Sequence, residues 1–330
     1  FKEGDKVALY SSKDSETATK YDVTITTDGA NVTIPTQDIT SGKRYHLYLT
    51  RDGKEQTLGV IKFYVTDELP QGSKVIAHRG HWNVAGASQN SRASLKNAID
   101  LKCYGSETDV WLTTDGKLMV NHDASYNGVT IKDATSAQCK NLKLSNGENM
   151  PELTDFLAMI AAEDWKNDTT KLIIEIKDHG NDELNTLAAQ ACVSAVYEAD
   201  VADRVEYISF SITACKALHE ADTEAKVAYL SGDKTPDELS GMGLTGLDYT
   251  LDRYTSNPTW IKEARDLEMT TNVWTIDGTD DIVKSNNLGI DFITTNNPVE
   301  ALKIQKIYQE IYIVSAEEEP KHETHMDPLE

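Results

Sequence analysis

"GSETDVWLTTDGKLMVNHD", residues 105–123, holds two strand-like runs and leaves one way to join them. "GSETDVWL" (105–112) and "KLMVNHD" (117–123) are separated only by "TTDG". A crossover between parallel strands needs roughly a dozen residues or more, so the second run must return antiparallel, as a hairpin on the first. That return brings His122 back down towards the end of the sheet from which the hairpin rose. Around it, strands and helices alternate from Lys74 onward. "VIA" (75–77), "GSETDVWL", "LIIEIK" (172–177), "VEYISF" (205–210), "KVAYLSG" (226–232), "GLDYTL" (246–251), "TNVWTI" (271–276) and "IDFITT" (290–295) read as strands. Amphipathic segments such as "SRASLKNAIDL" (91–101), "ELTDFLAMIAAED" (152–164) and "PVEALKIQKIYQEI" (298–311) read as helices between and after them. With the hairpin set aside, eight parallel strands remain. Repeated βα units over about 240 residues match a (β/α)8 TIM barrel.

The first 65 or so residues follow a different pattern. "KYDVTITT" (20–27), "ANVTIPT" (30–36), "KRYHLYLT" (43–50) and "QTLGVIKFYVT" (56–66) are rich in Val, Thr and Tyr, with "DGA", "SGK" and "RDGK" as turns between them. They predict a small all-β, immunoglobulin-like sandwich over residues 1–68. "DELPQGSK" (67–74) is the linker, the barrel domain runs over 69–314, and the acidic tail at 315–330 predicts disorder. His322 and His325 in that tail are read as part of a floppy segment rather than as metal ligands. On "KRYHLYLT", His46 and Tyr48 share one face. That face suits either docking of a glycan or protein, or cross-strand packing, which is the commoner use of such a residue.

Composition narrows the function classes. The 330 residues carry 54 acidic and 32 basic side chains, a formal charge of −22. This argues against nucleic acid or an anionic membrane surface as the main partner, since both call for basic patches. No apolar run is long enough to cross a bilayer, so stable membrane insertion is not expected and the body reads as soluble. Cys103, Cys139, Cys192 and Cys215 lie far apart and read as small buried hydrophobes. The chain opens on Phe1 rather than Met, which suggests a missing initiator and targeting segment. Sandwich modules are common outside the cytoplasm, so export to the periplasm or cell surface is the expectation.

In a (β/α)8 barrel the chemistry sits at the C-terminal ends of the strands. The first strand ends in His78-Arg79-Gly80, the second carries Glu107 and Asp109, and the hairpin returns with His122-Asp123. The third parallel strand bears Glu175 and Lys177, and the seventh bears Trp274. Residues two apart on a strand share a face, and helices cover the outer side, so these carboxylates point inward. Three carboxylates in one mouth repel unless a cation lies among them. A hard divalent ion, Ca²⁺ or Mg²⁺, held by Glu107, Asp109 and Glu175 meets that need. His78 and His122 make a general acid and base pair, and Arg79 and Lys177 are cations for an oxyanion. Together they describe a phosphodiester site rather than a glycosidase, which uses paired carboxylates free of metal.

"IAHRG" (76–80), "SQNSRASLKNAI" (88–99), "GSETDVWLTTDGKLMVNHD", "PELTDFL" (151–157), "LIIEIK", "VWTID" (273–277) and "IDFITTNNP" (290–298) occur in the order found in the glycerophosphodiester phosphodiesterase family, which residues 74 to about 300 resemble. The resemblance implies a TIM barrel that uses a divalent metal to hydrolyse glycerophosphodiesters to glycerol 3-phosphate and an alcohol. It implies His78 and His122 as acid/base residues, Glu107, Asp109 and Glu175 as metal ligands, and Arg79 and Lys177 as phosphate-binding groups. Trp274 would line the glycerol or head-group pocket. The family's usual Pro-Glu-Asn-Thr is Ser88-Gln89-Asn90-Ser91 here. Gln89 therefore lacks a metal-seeking charge, while Asn90 is kept for hydrogen bonding around the substrate site. The resemblance also implies attack by the substrate's own glycerol hydroxyl through a cyclic phosphate, with direct attack by water equally compatible with the residues. Two rivals stand beside this reading. One is a lysophospholipase D or sphingomyelinase D-like lipid phosphodiesterase, which an apolar rim would favour. The other is a binding protein with a degenerate barrel.

Overall fold

The computed structural model describes residues 2–11, 20–26, 43–66, 72–162, 164, 165, 168–310 and 323–326. Contacts divide the chain into two units, Phe1–Gly72 with Lys306–Glu330, and Ser73–Gln305.

The first unit holds β1 (Lys6–Tyr10), β2 (Lys20–Thr24), β3 (Lys43–Arg51) and β4 (Lys54–Thr66), all antiparallel. Asp52 and Gly53 both have positive φ, 51° and 72°, which makes the expected "RDGK" hairpin turn and suits the strand twist. Val7, Ile25 and Leu49 form a small apolar cluster. On the other face Tyr48 packs edge-on against Tyr10, ring centres 5.0 Å apart, so packing accounts for this tyrosine without a partner.

The second unit begins with β5 (Lys74–Ala77), α1 (Arg92–Asp100), β6 (Gly105–Leu112) and β7 (Leu118–Val120). The short strands β8 (Ser125–Tyr126) and β9 (Val129–Thr130) follow, then α2 (Ser136–Cys139) and α3 (Leu153–Ala161). Next come β10 (Lys171–Ile176), α4 (Asp182–Glu198), β11 (Val205–Ser209), α5 (Ile212–Ala221), β12 (Val227–Tyr229) and α6 (Pro236–Ser240). The barrel finishes with β13 (Gly246–Tyr249), α7 (Leu251–Ser256), α8 (Trp260–Asp266), β14 (Thr270–Val273), α9 (Thr279–Asn287), β15 (Phe292–Thr295) and α10 (Pro298–Glu310). Strands β5, β6 and β10–β15 pair in parallel, and β15 returns to β5, which closes an eight-stranded barrel. Strand β7 pairs antiparallel with β6 through Val110↔Val120, as the short "TTDG" connection requires.

The barrel interior is filled by Ile76, Ile173, Ile208, Leu230 and Phe292, with Trp274 and Phe210 packed against them. Gly105 belongs to this layer because a Cβ there would come within 2.8 Å of Ile173. The hairpin carries its own apolar cluster, in which Trp111 and Met119 meet Ile131, Cys139 and Met150. The sequence leaves this 124–150 excursion unassigned because its elements are too short to show a period.

After α10, β16 (Glu323–Met326) pairs antiparallel with β4, so the first sheet has the order β16-β4-β3-β1-β2. The expectation of a structureless tail therefore does not extend to residues 323–326. An immunoglobulin-like sandwich needs a second sheet, and none occurs among the described residues; the "ANVTIPT" run lies outside them. Cys103, Cys139, Cys192 and Cys215 are free and buried. Among the described residues, no helix is long and apolar enough to cross a membrane.

Candidate active site

The His-Arg-Gly turn is built by packing. Gly80 has φ +76°, and a Cβ on it would meet the Ser94 backbone at 2.7 Å, so α1 can dock against this turn only if residue 80 is glycine. Ser91 caps α1 by accepting from the Ser94 backbone N–H, and Ser94 returns the bond. Arg79 and Asn90 are left-handed, φ 57° and 56°, a conformation that costs a non-glycine residue energy and is held by its surroundings. In this geometry the Arg79 N–H donates to Glu107 Oε2 at 2.7 Å, and the Asn90 N–H donates to the Arg79 carbonyl.

Glu107, Asp109 and Glu175 meet as the strand spacing predicts. All three are buried, and each offers an oxygen within 4.8 Å of the others. Register explains this: Ile173 pairs with Glu107 and Glu175 with Asp109 on adjacent strands. The Lys177 ammonium lies 2.8 Å from Glu175 Oε1 and 3.2 Å from Asp109 Oδ1. Burial works against ionising Asp109, but Lys177, His122, Asn90 and Arg79 outweigh it and keep its carboxyl below the usual range. Burial followed by the charge of Asp109 pushes Glu175 up to about 8, and the same two causes raise Glu107 well above the usual range. One lysine and one arginine thus do not neutralise three acids. Glu107 Oε1 is buried without a hydrogen-bond partner. An orphaned carboxylate oxygen beside two others is a donor set that fits a hard divalent cation.

The two histidines flank this cluster, and each is oriented through Nδ1. His78 Nδ1 lies 2.9 Å from Asn296 Oδ1. The Asn296 amide is fixed by donating Nδ2–H to Asp277, so its oxygen faces the ring and accepts the Nδ1–H. Burial first, then the neighbouring Arg79, push the His78 pKa down to about 4, which leaves the ring neutral with Nε2 free. His122 Nδ1 instead lies 2.7 Å from the Asp123 carboxylate. The Trp111 indole N–H holds the His122 carbonyl at 3.2 Å.

Asn90, expected among the substrate-binding groups, lines a cavity beside His122 and is hydrogen-bonded to β6. Its Nδ2 donates to Asp109 at 2.8 Å, and its Oδ1 accepts from the Thr108 hydroxyl and the Asp109 N–H. These bonds orient the Asp109 carboxylate. Gln89 accepts from Arg79 NH1 at 2.7 Å, so the neutral amide holds the guanidinium without cancelling its charge. Trp274 donates to the Asp248 carbonyl and stacks edge-on against Phe210, ring centres 5.4 Å apart.

A profile of the glycerophosphoryl diester phosphodiesterase family matches residues 78–300. The chain belongs to that family. A glycerophosphodiester phosphodiesterase from Caldanaerobacter subterraneus is 26% identical over 240 residues, covering 68% of this chain and 94% of its own. The crystal structure of a glycerophosphodiester phosphodiesterase from Parabacteroides distasonis is 42% identical with a TM-score of 0.69, covering 72% of this chain and 98% of that one. A phosphodiesterase from Oleispira antarctica, solved with the product sn-glycerol-3-phosphate, shares the fold at 20% identity and TM-score 0.60, covering 72% and 97%. As a member of this family, the chain is a phosphodiesterase. The residues missed by sequence reading, Asn296 and Asp277, lie inside the motifs that carried the resemblance. Trp82 donates to the Asn296 oxygen that also holds His78.

Proposed function

We propose that this phosphodiesterase hydrolyses glycerophosphodiesters to glycerol 3-phosphate and an alcohol, with Ca²⁺ or Mg²⁺ held by Glu107, Asp109 and Glu175. The observation that carries the reading is a buried carboxylate triad within 4.8 Å, flanked by two imidazoles whose Nδ1 atoms are both engaged. Both Nε2 atoms are thereby left for proton transfer.

When bound, the ion supplies Lewis-acid polarisation of the phosphoryl oxygens. Arg79 and Lys177 hold the phosphodiester anion by charge-assisted hydrogen bonds. His78, neutral at Nε2, takes the proton of the attacking hydroxyl. That hydroxyl belongs to the glycerol moiety or to water. The bound phosphate adds negative charge beside the ring and so raises its affinity for that proton. His122, paired with Asp123, gives its Nε2 proton to the departing alkoxide as the P–O bond breaks. Trp274 and Phe210 form an apolar wall for the glycerol carbons. The lipid phosphodiesterase rival calls for an apolar rim, and in the 81–87 loop Val84 is the exposed large aliphatic side chain, 39% accessible.

The test is release of glycerol 3-phosphate from a panel of glycerophosphodiesters, with chelator and with added Ca²⁺ or Mg²⁺. We expect chelator to abolish turnover, a divalent ion to restore it, and His78→Ala and His122→Ala each to lose roughly 10²- to 10⁴-fold while folded. Full turnover under chelation, or in either variant, overturns the assignment.

A further inference from the structure

The start of α1 carries four backbone N–H groups that the helix cannot satisfy by itself, from Ser91 to Ser94. Ser91 and Ser94 serve each other, N–H to hydroxyl in both directions, at 3.1 and 3.0 Å. The other two, on Arg92 and Ala93, donate to the two oxygens of the Glu148 carboxylate at 2.9 and 3.1 Å. Glu148 belongs to the 124–150 excursion, which no step of the reaction given above uses. A carboxylate suits this end of a helix because the aligned peptide dipoles leave it positive. Asn146 holds it there, its Nδ2 donating to Glu148 Oε1 at 2.7 Å and to the Gly86 carbonyl at 3.2 Å.

What Glu148 secures is the end of the helix on which the site is assembled. Ser94 Oγ donates to the Arg79 carbonyl at 3.1 Å, and the Ser94 carbonyl accepts from the His81 N–H at 3.0 Å. The His-Arg-Gly turn therefore rests on the third residue of α1. Gln89 and Asn90, which hold the Arg79 guanidinium and the Asp109 carboxylate, immediately precede the Ser91 cap. Arg79 in turn gives its backbone N–H to Glu107. We propose that Glu148 is a positioning residue of the phosphodiesterase. By clamping the first turn of α1 from the excursion, it fixes the Arg79 and Asn90 bonds that set two of the three clustered carboxylates; this rests on the reading of that cluster as a divalent-ion site.

A plain helix cap and a positioning residue differ in what their loss does. Losing a cap lowers stability and leaves the folded enzyme's ion affinity and kinetics alone. Here the clamp supports a turn in which Arg79 and Asn90 are both left-handed, a conformation that persists only while its surroundings enforce it. Without the clamp that turn relaxes, which draws the Arg79 N–H from Glu107 and the Asn90 amide from Asp109. Groups that orient metal ligands govern ion affinity as well as rate.

The experiment compares the full chain with Glu148→Ala, Glu148→Gln and Thr235→Ala, the last of which removes the side-chain cap of α6. Calorimetric titration with Ca²⁺ and Mg²⁺, and kcat/KM for a glycerophosphodiester, are measured at a temperature where circular dichroism shows each protein folded. We expect Glu148→Ala to lose roughly 10- to 100-fold in ion affinity and in kcat/KM. Glu148→Gln keeps one acceptor oxygen and should lose less, and Thr235→Ala should match the full chain in both. Should Glu148→Ala fail to fold, Glu148→Gln carries the same test. Folded Glu148 variants with the ion affinity and kcat/KM of the full chain overturn the inference and leave the phosphodiesterase reading intact, as does an equal loss in Thr235→Ala. A full chain that binds neither ion and hydrolyses no glycerophosphodiester overturns that reading itself.

Discussion

Glu175 and Glu107 sit in opposite circumstances to Asp109, although all three are buried in one cluster. Asp109 faces Lys177, Asn90 and Arg79 and stays charged; Glu175, pushed up to about 8, holds a proton at neutral pH when no metal competes for it. The unfolded carboxyl titrates near pH 4.3, so between about 4 and about 8 the native state binds more protons than the unfolded state. Stability of the chelated protein therefore falls as pH rises through that window. A divalent ion displaces those protons, so its affinity rises with pH over the same range. Thermal unfolding of chelated protein against pH, and titration calorimetry in buffers of different ionisation enthalpy, check both signs. Proton-free metal binding near pH 7 would contradict the assignment.

Among the elements, the link between β6 and the segment after β10 sets the site's shape. The Leu112 N–H donates to His179 Nε2 at 2.9 Å, and His179 Nδ1–H donates to the Lys177 carbonyl at 2.7 Å. This ring also lies edge-on to Trp111, which holds His122. One buried imidazole thus ties the segment that carries Lys177 to β6, whose Trp111 in turn holds the His122 carbonyl. Nε2 must remain unprotonated to accept, and burial lowers the His179 pKa below its ordinary value. The unfolded histidine binds its proton near pH 6.5, so this group's contribution is complete above that pH and is lost as pH falls towards the folded value. We expect His179→Ala to cost about 1–3 kcal/mol, because the Leu112 N–H is left unpaired, and to flatten the loss of stability below pH 6.5. Denaturant unfolding at several pH values measures both.

For the whole molecule, a metal held as proposed would bridge the adjacent strands β6 and β10, with support from the 78–91 turn that hydrogen-bonds Glu107 and Asp109. An ion at a hundred times its Kd adds about 2.7 kcal/mol. For a barrel of this size that is a Tm rise of roughly 5–10 °C. Calorimetry with and without Ca²⁺ or Mg²⁺ reads it, and Asp109→Asn should remove most of the rise.

Much of this molecule is legible in the order of its residues. The hairpin, the strand count and the inward face of Glu107, Asp109 and Glu175 follow from chain length and the two-residue period, which are local properties. The excursion at 124–150, the pairing of residues 323–326 with β4 and the role of His179 are not, because short elements carry no period and their partners lie far along the chain. Asn90 is a clear case. Its place beside the site is legible in the sequence, whereas its amide's bonds to Asp109 and Thr108 on β6 follow only from packing. Residue type and spacing determined which chemistry this chain can perform. Which carboxylate keeps its charge, and which ring is held by an amide or a carboxylate, was decided by burial and by partners brought from distant strands, because electrostatic energies depend on distance and dielectric rather than on order along the chain.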